Sequence, residues 1–317
     1  MAARPIKTVS VVVSAIDEPL PGVKRFVLSD QDHWPLPPFT PGAHIDLHLG
    51  GGLVRTYSLC NAPSDRNRYV IAVKHEVAGR GGSAFVHERL DVGASIGVSL
   101  PRGGIRTTDT GMNVFIAGGI GVTPFISTIC DLELRGQTNY VLHWSSAGAP
   151  SLVDMLGDAI AAGRVRLYDT RVESAPDMDA ILNACDGNAK AYCCGPVRML
   201  DVFERIVEGW PDARKHIERF TPPKPVEDTD AAPYTVVLAR SGKEAIVEPN
   251  VGLVATLEAL GADVSVSCGG GVCGACRTTW LEGPPIHRDR VLSPEERAQD
   301  VMVCVAGCAG SRLVLDL

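Results

Sequence analysis

The chain has 317 residues, 45% hydrophobic and 21% charged, with 33 glycines and 22 prolines, a composition that suits two or three compact globular units. A formal charge of -7 argues against nucleic acid as a partner, and no apolar run reaches membrane-spanning length. The start Met1-Ala2-Ala3-Arg4-Pro5 leads into a polar-flanked strand pattern, not a signal-peptide core, so a soluble, cytoplasmic protein without membrane contact is expected, with a monomer as the default.

In residues 1–108, β-branched runs alternate with Gly/Pro punctuation. Stretches 7–16, 23–28, 44–49, 54–61, 69–75 and 95–100 read as strands, and only 83–90 as a helix. Six closely spaced strands predict a small antiparallel β-barrel. In His44-Ile45-Asp46-Leu47-His48-Leu49 the alternation puts one face inside and the other in water. Two short patterns here suit a flat, phosphorylated cofactor. Arg55-Thr56-Tyr57-Ser58 offers a guanidinium, two hydroxyls and an aromatic ring on one strand, although an edge strand with a solvated Arg explains the tetrapeptide equally well. Gly79-Arg80-Gly81-Gly82-Ser83 opens the helix and presents backbone N–H groups at its N-terminus, where an ordinary glycine turn is the plain alternative. Together they favour a phosphate seat.

In residues 109–222 the rhythm changes. Strands at 113–117, 139–144, 165–168 and 189–193 alternate with helices at 123–135, 152–162, 178–184 and 197–208, which predicts an α/β domain whose parallel sheet binds ligand at its carboxyl ends. Ala117-Gly118-Gly119-Ile120-Gly121-Val122-Thr123-Pro124 follows a buried strand and opens a helix. Gly118, Gly119 and Gly121 remove side chains where a dinucleotide would approach, though this is not the G-x-G-x-x-G fingerprint. Cys194-Gly195-Pro196 ends another buried strand. Its small thiol suits the flank of a nicotinamide, and a buried Cys before a Gly-Pro turn is the plain alternative.

Residues 223–233 are rich in Pro and charge and read as a semi-rigid linker. In 234–317, stretches 234–239 and 245–247 read as a hairpin, 252–260 as a helix and 312–317 as a last strand. Cys268, Cys273, Cys276 and Cys304 have the spacing C-x4-C-x2-C-x27-C, the plant-type [2Fe-2S] pattern, with Gly269, Gly270, Gly271 and Gly274 letting main-chain N–H groups approach the sulfides. Cys308 competes for the fourth place, but the buried run Val301-Met302-Val303-Cys304-Val305 favours Cys304. A structural zinc site fits this glycine-rich spacing poorly. The other thiols, Cys60, Cys130, Cys185, Cys193 and Cys194 among them, lie in apolar surroundings, as in a reducing compartment.

Taken in order, these motifs resemble the ferredoxin-NADP reductase superfamily fused to a plant-type ferredoxin. The C-terminal position of the ferredoxin makes the chain similar to the phthalate dioxygenase reductase family, which includes the reductases of vanillate-type O-demethylases. The resemblance covers essentially the whole chain, including His287-Arg288-Asp289 and Leu292-Ser293-Pro294-Glu295-Glu296-Arg297. It implies a multidomain fold: a six-stranded antiparallel β-barrel for flavin, an α/β parallel-sheet nucleotide domain and an α+β β-grasp ferredoxin domain. It implies FMN contacted by Arg55, Thr56, Tyr57, Ser58, Ala72, Val73 and Lys74, with its phosphate on Arg80, Gly81, Gly82 and Ser83. Ser58 would meet flavin N5, Thr123 would lie near the ring, Cys194 would flank the nicotinamide, and Phe220 would cover the flavin. Gly118, Gly119, Gly121, Gly195 and Pro196 would line the path of the nucleotide.

One departure bears on the hydride donor. After His143-Trp144, where NADPH-using relatives place an Arg, the chain reads Ser145-Ser146-Ala147-Gly148-Ala149. NADH is therefore expected, with Arg164, Arg166 and Arg171 left as alternative sources of charge for a 2′-phosphate. The expected function is an NADH-dependent reductase component passing single electrons to a Rieske-type terminal oxygenase. Acidic side chains such as Glu282, Asp289, Glu295 and Glu296 are the candidates for docking it. The alternative is a stand-alone electron carrier or redox sensor, with Cys60 and Cys193 as its candidate thiols.

Overall fold

The computed structural model describes residues 8–51, 53–221 and 232–317, so all but the last two residues of the expected linker lie outside the described residues. The chain separates into two compact units that divide between Glu218 and Arg219.

The first unit begins with β1 (Thr8–Leu20), β2 (Val23–Ser29), β3 (His44–His48), β4 (Val54–Ser58), β5 (Tyr69–Lys74), α1 (Gly82–Arg89) and β6 (Ser95–Ser99). These strands form one antiparallel sheet in the order β4-β3-β6-β1-β2-β5. A bridge between Leu59 and Ile71, with Cys60 N–H donating to the Val70 carbonyl at 2.7 Å, joins the two ends and closes the barrel. Alternate residues fill it: Val11, Val13, Phe26, Leu28, Ile45, Leu47, Tyr69 and Ile71 share one core. Bulges in β1, after Val13 and after Asp17, supply the curvature that closure needs.

The second half of this unit contains β7 (Asn113–Gly118), α2 (Thr123–Leu134), β8 (Tyr140–Ser146), α3 (Gly157–Ala161), β9 (Val165–Asp169), α4 (Met178–Asn183), β10 (Lys190–Cys194), α5 (Val197–Ile206) and β11 (Lys215–Glu218). The five strands are parallel in the order β11-β10-β7-β8-β9, with the switch of direction between β7 and β10. In β7, Phe115 and Ala117 face one core and Val114 and Ile116 the other, the two-sided burial expected when helices cover both faces. The helix expected over 152–162 is broken into a 3-10 turn, Val153–Leu156, and α3, which starts at Gly157, and β11 had no counterpart among the expected strands. Strand β5 explains why barrel and nucleotide domain form one unit. Tyr69, Ile71 and Val73 point into the barrel, while Val70 and Ala72 belong to the core of Phe115, Phe125 and Trp144. Arg25 on β2 adds an ion pair to Asp154 at 2.6 Å.

One expectation holds only in part in the barrel. On the outer face of β3, His44 and His48 are part-exposed, but Asp46 is only 2% exposed, because Arg102 folds over it at 2.6 Å and Thr56 Oγ1 donates to the same oxygen at 2.6 Å.

The second unit contains β12 (Tyr234–Leu238), β13 (Glu244–Val247), α6 (Gly252–Ala259), β14 (Arg277–Glu282), β15 (Pro285–Ile286), α7 (Pro294–Arg297), β16 (Asp300–Met302), β17 (Gly307–Cys308) and β18 (Arg312–Leu315). The main sheet runs β13-β12-β18-β14-β16, with β12 and β18 parallel and the other pairs antiparallel, the β-grasp arrangement. Helix α7 is short but well started: Ser293 accepts from Glu296 N–H and Glu296 reaches back to Ser293 N–H, a capping box. Asp289, a candidate for docking, is instead buried. Its carboxylate accepts from Leu292 N–H at 2.9 Å and Val291 N–H at 3.2 Å and so fixes the turn into α7.

Candidate functional site

The barrel end of the site is built on β4 and α1. Arg55 crosses the start of α1 so closely that a Cβ at Gly82 would lie 2.3 Å from its Cγ, and its Nη2 donates to the Arg80 carbonyl. Burial and, second, the like charge of Arg80 lower the pKa of Arg55, so this corner gains from an anion. Gly81 has φ +79 and caps α1 without a side-chain hydrogen bond, which leaves the first N–H groups directed outward. These features fit a phosphate. Ser83 uses its hydroxyl to accept Glu76 N–H at 3.0 Å, and Lys74 is paired with Glu76 at 2.8 Å, so both hold the turn before α1. Ala72 and Val73 bury their side chains in the two cores and offer a ligand backbone only. Tyr57 is half-buried, and burial pushes its phenol up to about 12, so the ring stays neutral. Thr56 donates its hydroxyl to Asp46 on the neighbouring strand, and Ser58 is buried.

The nucleotide end lies where β7 and β10 diverge. A Cβ at Gly118 would stand 2.6 Å from Pro196 Cδ, one at Gly121 2.4 Å from the Cys194 carbonyl oxygen, and one at Gly195 3.1 Å from Gly118 Cα. The glycine loop and Cys194-Gly195-Pro196 are thus a single packed element at the sheet's switch point, where open α/β sheets bind their ligands. Gly119 (φ +55) faces open space, and its carbonyl accepts Trp144 Nε1–H at 3.0 Å. Thr123 is buried and donates its hydroxyl to the Ile120 carbonyl at 3.0 Å, fixing the entry into α2. Of the three arginines, Arg164 is bound by Glu133 at 2.8 Å at the entry to β9, Arg166 pairs in register with His143, and Arg171 pairs with Asp169 at 3.1 Å beyond the strand's end.

Three residues that the sequence reasoning missed connect the two ends. Glu218 is the register partner of Cys194, and His216 bonds it at 2.7 Å. Burial pushes the Glu218 carboxyl up, but His216 and the charge of His44 outweigh it and hold the group below the usual carboxylate range. His44 in turn is the cross-strand partner of Ser58. Burial raises the Cys194 thiol well above its ordinary value, with Glu218 and Cys193 adding to this, so Cys194 is a neutral spacer and not a nucleophile. Phe220 is exposed and follows the division between the units.

In the second unit the cysteine loop runs through Gly269, Gly271 and Gly274, all with φ near +70. Cys268, Cys273, Cys276 and Cys304 lie close enough to influence one another's ionisation. Gly270 N–H points at Cys268 Sγ and Gly271 N–H at Cys304 Sγ, both at 3.3 Å. Four neighbouring thiols, with amides directed at two of the sulfurs, fit a cluster that takes four thiolates. Cys304 lies in the turn after β16, whereas Cys308 is on β17 and donates to the Arg312 carbonyl at 3.2 Å. Among the described residues no three His, Cys, Asp or Glu side chains form a site for a single ion, and no helix is long and apolar enough to cross a membrane.

A parallel-sheet nucleotide domain beside a barrel, followed by a four-thiol β-grasp unit, defines a modular redox protein, and comparison with known proteins places it. Residues 236–308 match the 2Fe-2S iron-sulfur cluster binding domain. The whole chain is 41% identical to phenoxybenzoate dioxygenase subunit beta of Ectopseudomonas oleovorans, covering 99% of that protein. It is 33% identical to phthalate dioxygenase reductase of Burkholderia cepacia over 92% of both chains. A solved phthalate dioxygenase reductase, described as a modular structure for electron transfer from pyridine nucleotides to [2Fe-2S], superimposes with a TM-score of 0.70 at 31% identity and covers 98% of each chain. An intact type IV self-sufficient cytochrome P450 monooxygenase gives a TM-score of 0.88 at 31% identity over 99% of this chain and 43% of that one. The chain belongs to the phthalate dioxygenase reductase family of oxygenase reductase components.

Proposed function

We propose that this chain oxidises NADH on FMN and delivers the electrons one at a time through a [2Fe-2S] cluster to a terminal oxygenase with a Rieske centre. When bound, FMN accepts a hydride and the cluster takes single electrons, which together convert a two-electron donor into a one-electron supply. The chain's own residues position these groups. Arg55, Arg80 and the N–H groups of Gly82 and Ser83 hold the phosphate, Tyr57 packs against the ring, and Ser58 meets N5. Thr123 shapes the loop that would lie near the ring, and Cys194 with Gly118, Gly119, Gly121, Gly195 and Pro196 would seat the nicotinamide half. Glu218, kept ionised between His216 and Cys194, orients that end. Cys268, Cys273, Cys276 and Cys304 ligate the cluster.

The observation that carries the reading is the packing of the glycine loop against Cys194-Gly195-Pro196 in the same unit as the Arg55 corner. Relatives named as reductase subunits of carnitine monooxygenase and as phthalate dioxygenase reductase support an oxygenase partner. Buried thiols such as Cys60 and Cys194 suit a reducing cytoplasm, and we take the chain as a monomer of three domains, 1–108, 109–222 and 234–317. Anaerobic mixing with NADH should bleach the flavin absorbance first and the cluster absorbance second. A chain whose flavin is reduced and whose cluster never follows contradicts the proposal. Such a chain would also lose its claim to an oxygenase partner.

A further inference from the structure

The segment 287–290 bridges the two stretches that carry the four cysteines. Arg290 N–H donates to the Gly271 carbonyl at 3.0 Å, and Arg288 Nη1 donates to the carbonyl of Val305, next to Cys304, at 3.3 Å. Asp289 lies between them. A Cβ at Gly271 would stand 3.0 Å from Asp289 Cα and 3.3 Å from its Cβ, so the backbone whose N–H points at Cys304 Sγ rests on this residue. The carboxylate of Asp289 is buried, and its two oxygens are served unequally. Oδ2 accepts from Leu292 N–H at 2.9 Å and Val291 N–H at 3.2 Å, and Arg297 Nη2 reaches it at 3.4 Å while donating to the Asp289 carbonyl at 2.7 Å. Oδ1 accepts no hydrogen bond among the described residues; His287 Nδ1, buried and likewise without a hydrogen-bond partner, stands 3.7 Å from it. The two N–H groups at the turn would be met as well by a neutral amide oxygen, so the turn alone does not call for a charge. A buried carboxylate oxygen left without a donor calls for another reason.

We propose that Asp289 tunes the cluster by its charge: the carboxylate, seated against Gly271 and only half compensated, lowers the reduction potential, and Arg297 sets how much of that charge is felt. The assignment rests on the reading of Cys268, Cys273, Cys276 and Cys304 as the cluster ligands. A cluster of thiolates and sulfides becomes more negative when it takes an electron, so a fixed negative charge behind one of its ligand turns opposes reduction. Burial keeps away the water and salt that would screen that charge. Arg297 offsets it through Oδ2 and leaves Oδ1 unquenched. A lower potential makes the reduced cluster the stronger donor, which is the direction of flow toward an acceptor protein. The pair Asp289 and Arg297 thus acts on the electron without touching a ligand sulfur.

The test uses the full chain with its cofactors bound. Potentiometric titration at pH 8, followed by the electron paramagnetic resonance signal of the reduced cluster, gives the midpoint potential without turnover. Asp289→Asn keeps an oxygen for Leu292 N–H and Val291 N–H but removes the charge; it should favour reduction about tenfold, a rise of about 59 mV for one electron. Arg297→Gln leaves the carboxylate uncompensated and should disfavour reduction about threefold. The double variant should return to within about twofold of wild type, because the two charges cancel. A merely structural role would move both single variants in the same direction or not at all. An Asp289→Asn chain within about twofold of wild type, single variants that shift with the same sign, or a double variant that keeps the whole Asn shift overturns the assignment. Should Asp289→Asn fail to hold its cluster, Arg297→Gln decides alone, and a potential that rises or stays put overturns it. A wild-type chain that binds no iron and sulfide overturns the reading on which it rests.

Discussion

A Cβ on Gly121 would stand 2.4 Å from the carbonyl oxygen of Cys194, closer than real side chains come. The contact crosses from the loop after β7 to the end of β10, so it sets the width of the crevice between them. Backbone, unlike a flexible side chain, has little room to give. Gly121→Ala should cost about 1–3 kcal/mol of stability through overpacking. It should also raise the Kd for NADH at least about tenfold by pushing the Cys194 carbonyl aside. Calorimetry with NADH and urea unfolding check the two effects separately, and a variant with unchanged Kd would show that the crevice tolerates the shift.

Arg55 lies on Gly82 with Arg80 beside it, a corner that gains from negative charge. Arg55→Ala should therefore release FMN on gel filtration while iron and sulfide stay bound, because the cysteine loop lies in the other unit. A charge-assisted hydrogen bond contributes about 1.5–3 kcal/mol, so the loss should be about ten- to a hundredfold in Kd. Arg55→Lys should recover only part of it, since an ammonium cannot reproduce the planar fork. Flavin absorbance after dialysis is the readout, and full retention in the Ala variant contradicts the phosphate seat.

The fate of the fourth thiol separates Cys304 from Cys308. Gly271 N–H points at Cys304 Sγ, whereas Cys308 accepts Gly310 N–H at 3.4 Å and donates to the Arg312 carbonyl. Cys304→Ser should deplete the [2Fe-2S] chromophore and lower bound iron by at least about half. Cys308→Ser should leave both near wild type. Iron analysis together with visible spectra decides it, and the reverse pattern would move the ligand to Cys308.

How far the sequence leads depends on whether the signal is local. The glycine loop, Cys194-Gly195-Pro196 and the four cysteines are each a short stretch whose spacing carries its chemistry, and the structure packs the first two against each other and turns amides toward Cys268 and Cys304. The alternation of strands also makes the barrel and the parallel sheet legible. Misreadings arise where a distant residue decides. Asp46 looks solvated in its hexapeptide and is buried because Arg102, from beyond β6, covers it. The partner of the Thr56 hydroxyl, Asp46 on the neighbouring strand, is likewise invisible in its tetrapeptide. Glu218 acquires its meaning from a register with Cys194 that no local pattern announces.

His143, buried on β8 with Nδ1 2.8 Å from the Tyr168 hydroxyl, gives the nucleotide domain an acid limit. Burial, with the charge of Arg166 second, lowers its pKa from 6.5 to about 4. Between those values the unfolded chain takes up a proton that the folded chain refuses, so the contribution is complete above pH 6.5 and is lost as pH falls toward 4. At about 1.4 kcal/mol per pKa unit, the effect is at most about 3.5 kcal/mol, less any solvent screening at the ring. His143→Gln keeps a partner for Tyr168 and removes the titration. Urea midpoints at pH 7 and pH 4.5, at constant ionic strength, should fall steeply for wild type and less for the variant. Identical acid limbs would assign the loss of stability to other groups.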